Sequence, residues 1–222
     1  MSTIPPLLDV QDVSYVLEAK PLLAPVSLTL NTGEFVLLTG PSGSGKSTLL
    51  KIISSLIDPS AGSIRFRGQP IAQLKPERYR QQVSYCFQTP ALFGETVYDN
   101  LALPWQIRHK KPDRAQLQGW LEKVNLPAEM LDKKADRLSG GEKQRVALLR
   151  NLQFLPDVLL LDEITSALDD ENKQLINQLI AGLVRESGMA VMWISHDSSE
   201  INQAQRVLTL AAPAARSRNE PA

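Results

Sequence analysis

The chain has 222 residues, 24 Lys+Arg against 24 Asp+Glu and 43% hydrophobic content, which suits one domain with a real core and excludes a wholly disordered chain. The balanced charge gives no global attraction to nucleic acid, and no nucleic-acid partner is expected. A lone Cys86 excludes an intrachain disulfide, and with two histidines it leaves too few soft ligands for a dedicated zinc or iron–sulfur site.

Residues 7–34 come first, as short alternating segments (LLDVQDVSYVL, VSLTL) closed by a turn at Asn31-Thr32-Gly33. With Ser63–Phe66 they predict a small antiparallel sheet. Phe35–Thr39 is a compact apolar run and reads as a buried strand. Ser47–Ile57 reads as a helix that follows a glycine-rich turn and stops at Asp58-Pro59. Val83–Phe87 is a second buried strand. Residues 89–138 carry Pro90, Pro104, Pro112 and Pro127 between helix-like pieces and read as a helical insertion. A helix over Ser139–Leu155 stops before Pro156, and a strand follows at Val158–Leu161. Asp170–Glu186 places Leu175, Ile176, Leu179, Ile180, Leu183 and Val184 on one face and meets Gly188 as its stop. Ala190–Ser195 is the last strand, and from Ala211 the chain is small, polar and expected to fray. Strands alternating with helices predict an α/β fold with a mostly parallel sheet covered on both faces. No apolar run approaches the ~18–20 residues of a membrane span. The first 15 residues lack the basic and apolar regions of a secretory signal. A soluble cytoplasmic chain is expected, any membrane part being another polypeptide.

Gly40-Pro41-Ser42-Gly43-Ser44-Gly45-Lys46-Ser47 fits G-x-x-x-x-G-K-[ST] between a predicted strand and a predicted helix. Glycines let backbone N–H groups turn inward as an anion nest, and the helix start adds partial positive charge. Lys46 is then expected on the β- and γ-phosphates and Ser47 on Mg²⁺.

Each predicted parallel strand leads into a polar residue. Phe35–Thr39 leads into the phosphate loop, Val83–Phe87 into Gln88, Val158–Leu161 into Asp162-Glu163, and Ala190–Ser195 into His196. Open α/β sheets bind ligands at the carboxyl ends of their strands, so these residues should converge. Asp162 is expected on the metal side, and Glu163 is free to act on the attacking water. The blander reading of the acidic pair is a favourable helix start. That reading leaves unexplained why two carboxylates sit beside a triphosphate.

Leu138-Ser139-Gly140-Gly141-Glu142-Lys143-Gln144-Arg145 opens another helix, with Ser139 and Glu142 spaced as a capping box. Paired glycines cost a helix about 1 kcal/mol each, so Gly140 and Gly141 suggest exposed N–H groups open to another molecule's phosphate. One chain thus has two anion-binding helix starts and one hydrolytic set. A head-to-tail pair of identical chains resolves this, each capping the nucleotide of the other.

Together these residues resemble the ATP-binding-cassette ATPases. LSGGEKQR at 138–145 resembles the family signature, VLLLDE at 158–163 the Walker B strand, SALD at 166–169 the D-loop, Gln88 the Q-loop and His196 the switch histidine. The resemblance implies a P-loop NTPase of ABC type over 7–210. Its RecA-like core and antiparallel β-subdomain would take 7–88 and 152–210, its helical subdomain 89–151, and a flexible tail 211–222. It implies ATP and Mg²⁺, with Glu163, His196, Lys46 and Gln88 in catalysis and Ser47, Gln88 and Asp162 at the metal. Nucleotide contacts are implied for Tyr15, for 40–48 including Thr48, for Ser139, Gly140, Gly141 and Glu142, and for Asp169. An ATP-dependent homodimer is implied, together with an integral-membrane permease that docks near Gln88 and the helical subdomain at the cytoplasmic face of the inner membrane. Phe93, Tyr98, Leu101 and Trp105 are expected to line the docking groove or to pack the subdomain. The stretches 81–108 and 150–169 resemble more closely the cassettes of Fet-type systems, which implies iron export. Ile164 departs from the proline of many relatives, a change expected to loosen the loop that follows. An acidic-glycine segment is missing before Leu138, which agrees with a separate subunit. A soluble iron–sulfur-assembly ATPase remains the alternative. A small-molecule kinase would share only the phosphate loop and would leave LSGGE unexplained.

Overall fold

A computed structural model describes residues 5–196 and 204–213. In chain order its elements are β1 (Leu8–Leu17), β2 (Lys20–Leu30), β3 (Phe35–Thr39), α1 (Lys46–Ile53), β4 (Ala61–Phe66), β5 (Gln69–Pro70), α2 (Pro76–Gln82), β6 (Val83–Cys86), α3 (Val97–Ile107), α4 (Arg114–Glu122), α5 (Gly140–Leu152), β7 (Val158–Asp162), α6 (Asp170–Ser187), β8 (Ala190–Ile194) and β9 (Arg206–Thr209). They form two sheets, a four-stranded one in the order β2-β1-β4-β5 and a five-stranded one in the order β6-β7-β8-β3-β9. All pairings in the first are antiparallel, and all in the second are parallel.

The parallel sheet is buried on both faces, as its unbroken apolar runs predict. Every residue of β7 and β8 is buried. Alternation divides the strands between two cores. Leu37, Leu159, Leu161, Val191 and Trp193 face the side covered by α3, α4, α5 and α6. Val36, Leu38, Leu160, Met192 and Ile194 face α1 and the antiparallel sheet. Trp193 is fully buried and stacks on Phe35 at 5.9 Å. Cys86 is a free, buried thiol, and loss of water pushes its pKa up to about 12.

Several boundaries differ from the sequence reading. Helix α1 ends at Ile53 rather than Ile57, because Ser55 takes a positive φ of 58°. The Ser55 N–H then bonds Ile52 O and the Leu56 N–H bonds Lys51 O, both at 2.9 Å, which closes the helix in a Schellman motif. Helix α5 ends at Leu152, three residues short of the expected Leu155. Helix α6 stops where expected, its Gly188 cap at φ 73°. Three elements were not foreseen, the two-residue strand β5 among them. Helix α2 is polar, begins with Pro76 and buries only Tyr79, so it has no apolar stripe to read. Strand β9 alternates half-buried and exposed residues at the sheet edge, too short a pattern to stand out. The tail expected to fray from Ala211 lies outside the described residues from 214 onward.

The stretch 89–138 is helical as expected, and Thr96 starts α3 with a capping box to Asp99. Of the four residues expected at a docking groove, Leu101 is fully buried in the core. It is there because α3 packs that face against α5. Tyr98 and Trp105 are half-buried against the same core, and only Phe93 is well exposed. Leu101→Ala is therefore expected to destabilise the fold by about 2–5 kcal/mol, measured by urea denaturation. A side chain that only lined a surface groove would leave the midpoint unchanged.

Candidate functional site

Strand β3 delivers the chain at Thr39 into the glycine-rich loop, and α1 begins at Lys46. Gly45 caps α1 in the left-handed region at φ 91°. A Cβ there would lie 2.5 Å from Leu22 O, so both the backbone angle and β2 demand glycine. The first-turn N–H groups of α1 are left without a side-chain cap and face the loop's concavity. Lys46 is buried, and its Nζ donates to Gly40 O at 2.8 Å and Pro41 O at 3.1 Å, which places the ammonium across the mouth of the loop.

A cleft of about 530 Å³ opens over this loop. Its walls are Ser42, Gly43, Gly45, Lys46, Ser47 and Thr48 on one side and Gln88, Glu163 and His196 on the other. The residues predicted from four separate strand ends therefore meet in one place. The Gln88 Nε2 donates to Glu163 Oε2 at 2.7 Å, and His196 Nε2 lies 3.6 Å from Glu163 Oε1. Glu163 itself has a positive φ of 46°, a strained geometry for a non-glycine residue that costs of order 1–3 kcal/mol. Its N–H is held by Ile194 O at 3.1 Å and its carbonyl by the Ser166 N–H at 3.2 Å. The next residue, Ile164, is 1% exposed and lies in the core. The loop is thus anchored by burial where many cassettes use proline, and the loosening expected there is countered.

Asp162 ends β7 with a carboxylate only 3% exposed. Ser47 Oγ donates to its Oδ1 at 3.1 Å and the Tyr85 hydroxyl to its Oδ2 at 2.6 Å. Burial, followed by the Asp162 contact, raises the Tyr85 pKa, so the phenol stays protonated and donates. Tyr85 was missed in the sequence. The available signal was a hydroxyl among the buried residues of β6, where Tyr85 pairs with Leu160, two residues before Asp162. Ser47 and Asp162 are hard oxygen donors and fit Mg²⁺. Gln88, expected at the metal, turns its amide to Glu163 instead.

The second glycine-rich helix start does not line this cleft. Ser139 and Gly140 are exposed, and a Cβ on Gly140 would meet open space. The capping box is present in both directions, the Glu142 N–H to Ser139 Oγ at 3.2 Å and the Ser139 N–H to Glu142 Oε2 at 2.8 Å. Lys133 also donates to Glu142, at 3.2 Å. Glu142, expected at nucleotide, is thus engaged by its own helix start. Gly141 has a close contact within its own chain that the sequence reading did not include. A Cβ there would press on Leu168 Cδ2 at 3.2 Å and Ala167 O at 3.4 Å. Asp169 is exposed and caps α6 through the Asn172 N–H at 2.9 Å. Tyr15 is half-buried on β1 opposite Leu23, the residue that abuts Gly45, so the aromatic lies one strand from the phosphate loop.

Residues 23–166 match the family model described as "ABC transporter". The Escherichia coli K12 protein named "Probable iron export ATP-binding protein FetA" is 57% identical over 205 residues, which span 92% of this chain and 91% of that protein. The dimeric structure of MJ0796, a bacterial ABC transporter cassette, superposes with a TM-score of 0.82 at 28% identity over 92% of this chain and 94% of the cassette. The same cassette as a post-hydrolysis dimer bound to ADP and Pi gives a TM-score of 0.82 at 30% identity over 91% and 94%. The chain belongs to the ABC transporter family and is an ATP-hydrolysing, ATP-binding subunit of it.

Proposed function

We propose that the chain powers the export of iron through a separate membrane-spanning subunit, working as a head-to-tail homodimer at the cytoplasmic face of the inner membrane. The convergence of Lys46, Ser47, Gln88, Glu163 and His196 on one cleft carries the chemical part of this reading. The cargo and the direction rest on likeness to the FetA relative. That likeness to a transport subunit also weighs against a soluble iron–sulfur-assembly ATPase. Among the described residues no helix is long and apolar enough to cross a membrane, so the path for the ion would belong to the partner.

The domain division expected from the sequence, 7–88 with 152–210 around a helical 89–151, is kept as part of the proposal. The loop amides at 40–48 and Lys46 would hold the phosphates of ATP. Ser47 and Asp162 would hold Mg²⁺, which supplies charge neutralisation at the phosphoryl oxygens. Among the described residues no group of three or more His, Cys, Asp or Glu could hold a metal alone. Glu163 would orient and deprotonate the attacking water, and Gln88 and His196 fix its two carboxylate oxygens. Tyr85 would keep the Asp162 carboxylate turned to Ser47. Ser139, Gly140 and Gly141 of the opposite chain would close the site, with Asp169 beside them. Tyr15 would meet the adenine.

A second cleft, about 340 Å³, lies between α2, α3 and the end of α5. Leu103, Pro104, Ile107 and Phe154 make it apolar, and Arg80 and Arg108 stand on its rim. Trp105 buttresses Phe154 from behind, their rings 4.8 Å apart. This groove, not the cluster around Leu101, is where we place a cytoplasmic segment of the permease. Its position on α3, which follows Gln88 in the chain, supports coupling to the ATP site.

Three results are expected. Glu163→Gln should abolish turnover yet give a dimer with saturating MgATP, read by light scattering; a monomer would overturn the shared site. Lys46→Ala should lower ATP hydrolysis about 100-fold or more, and retained turnover would remove the lysine from the phosphates. Ile107→Asp should leave ATPase activity of the isolated subunit within about twofold while weakening co-purification with the permease. Unchanged capture would return the groove to plain surface.

A further inference from the structure

We infer that the Asn172 side chain fastens the signature helix start to the loop at 166–169, so that one protomer presents both to its partner's nucleotide as a single edge. This rests on the shared-site reading above.

Arg145, in the second turn of α5, donates from Nη1 to Asn172 Oδ1 at 2.7 Å. The same nitrogen reaches Val124 O at 2.9 Å and Asn125 O at 3.2 Å, and Nε reaches Gly141 O at 3.3 Å, so the guanidinium is held by the helical subdomain. On its other side the Asn172 amide donates from Nδ2 to Asp169 Oδ2 at 2.8 Å and Oδ1 at 3.0 Å. Arginine can only donate, and an ionised aspartate can only accept. The amide therefore has one satisfied orientation, oxygen to Arg145 and nitrogen to Asp169. Of the side chains short enough to fit, asparagine alone offers both functions in one rigid plane.

Capping of α6 does not require this amide. Asp169 Oδ1 already accepts the Asn172 backbone N–H at 2.9 Å, a bond that any residue but proline can make at 172. What the side chain adds is the link to α5. A second contact lies at the helix start itself, where Gly141 packs closely on Leu168 and Ala167, so that an added Cβ would come within 3.2 Å of Leu168 Cδ2. Two points of attachment fix the helix start relative to the loop. Ser139, Gly140, Ala167 and Asp169 remain exposed on that edge, available to a second chain. Misplacing a phosphate-binding group by about 1 Å can cost 10²-fold in function, so a helix start that works in trans needs such bracing more than one that works in cis.

The test uses full-length protein in the Glu163→Gln background. MgATP is titrated, and the dimer fraction is read by analytical ultracentrifugation for the parent, for Asn172→Ala and for the near-isosteric Asn172→Leu. Both variants are expected to need at least about fivefold more ATP for half-maximal dimer. Their thermal midpoints and their ATP affinity as dilute monomers should match the parent. Dimerisation at the parental ATP concentration in both variants would overturn the inference. So would a parallel loss of monomer ATP affinity or of thermal stability in both, since that marks a merely structural role. Failure of the Glu163→Gln parent itself to dimerise would sink the shared-site reading beneath it, an outcome separable from the other two.

Discussion

A carboxylate that is 3% exposed must be satisfied, and the way Asp162 is satisfied ties the catalytic core together. Its two oxygens accept from Ser47 on α1 and Tyr85 on β6, while its backbone extends β7 against β8. One side chain thus connects the phosphate loop's helix with three strands of the parallel sheet. Removing either hydroxyl would leave a buried acceptor with an unmet bond, a cost of about 1–3 kcal/mol or more for a charged group. The neighbouring Glu163 inherits this fixed frame. Its strained backbone is tolerated because Ile194 and Ser166 hold it and Ile164 is buried beside it.

Opposite this rigid centre, the signature helix start faces outward. The Ser139 and Glu142 N–H groups are satisfied by the reciprocal capping box, while Gly140 is exposed and a Cβ on it would meet open space. The cleft over the phosphate loop has no wall from 139–145. The cleft is walled by the phosphate loop and by Gln88, Glu163 and His196, and the exposed signature helix start contributes nothing to it within one chain. Gly141 also makes a contact within its own chain that the sequence pattern alone conceals. It lets the helix start lie against Ala167 and Leu168 of its own chain, so signature and loop share one edge.

The sequence made the parallel strands and the cleft residues legible for the same reason. Strands buried on both faces must be apolar without interruption, so Asp162-Glu163 and His196 stand out as the first polar residues after VLLL and AVMWIS. What escaped were features defined by partners far along the chain. Tyr85 reads as one more aromatic in a strand until β7 is placed beside it. Asn172 reads as a helix-start residue until Arg145 arrives from 27 positions earlier. Leu101 looked like a surface aromatic cluster's neighbour because α3 is apolar on more than one side, and only its packing on α5 decides which side is core. Helix α2 and strand β9 gave too little apolar contrast to register.

These placements divide the molecule by stiffness. The parallel sheet and the phosphate loop are joined by buried hydrogen bonds and continuous apolar packing, so they can hold strain at Glu163. The helical region shares the apolar core on one face of that sheet through α3, α4 and α5, and Gln144 Nε2 adds a polar tie to Phe87 O at 3.3 Å. That tie ends one residue before Gln88, whose amide holds Glu163. Gln144 on α5 and the Glu163 carboxylate are therefore bonded to adjacent residues of one segment. The parallel sheet and the helical region are thus linked both by a shared apolar core and by directional bonds that end on adjacent residues, Phe87 and Gln88.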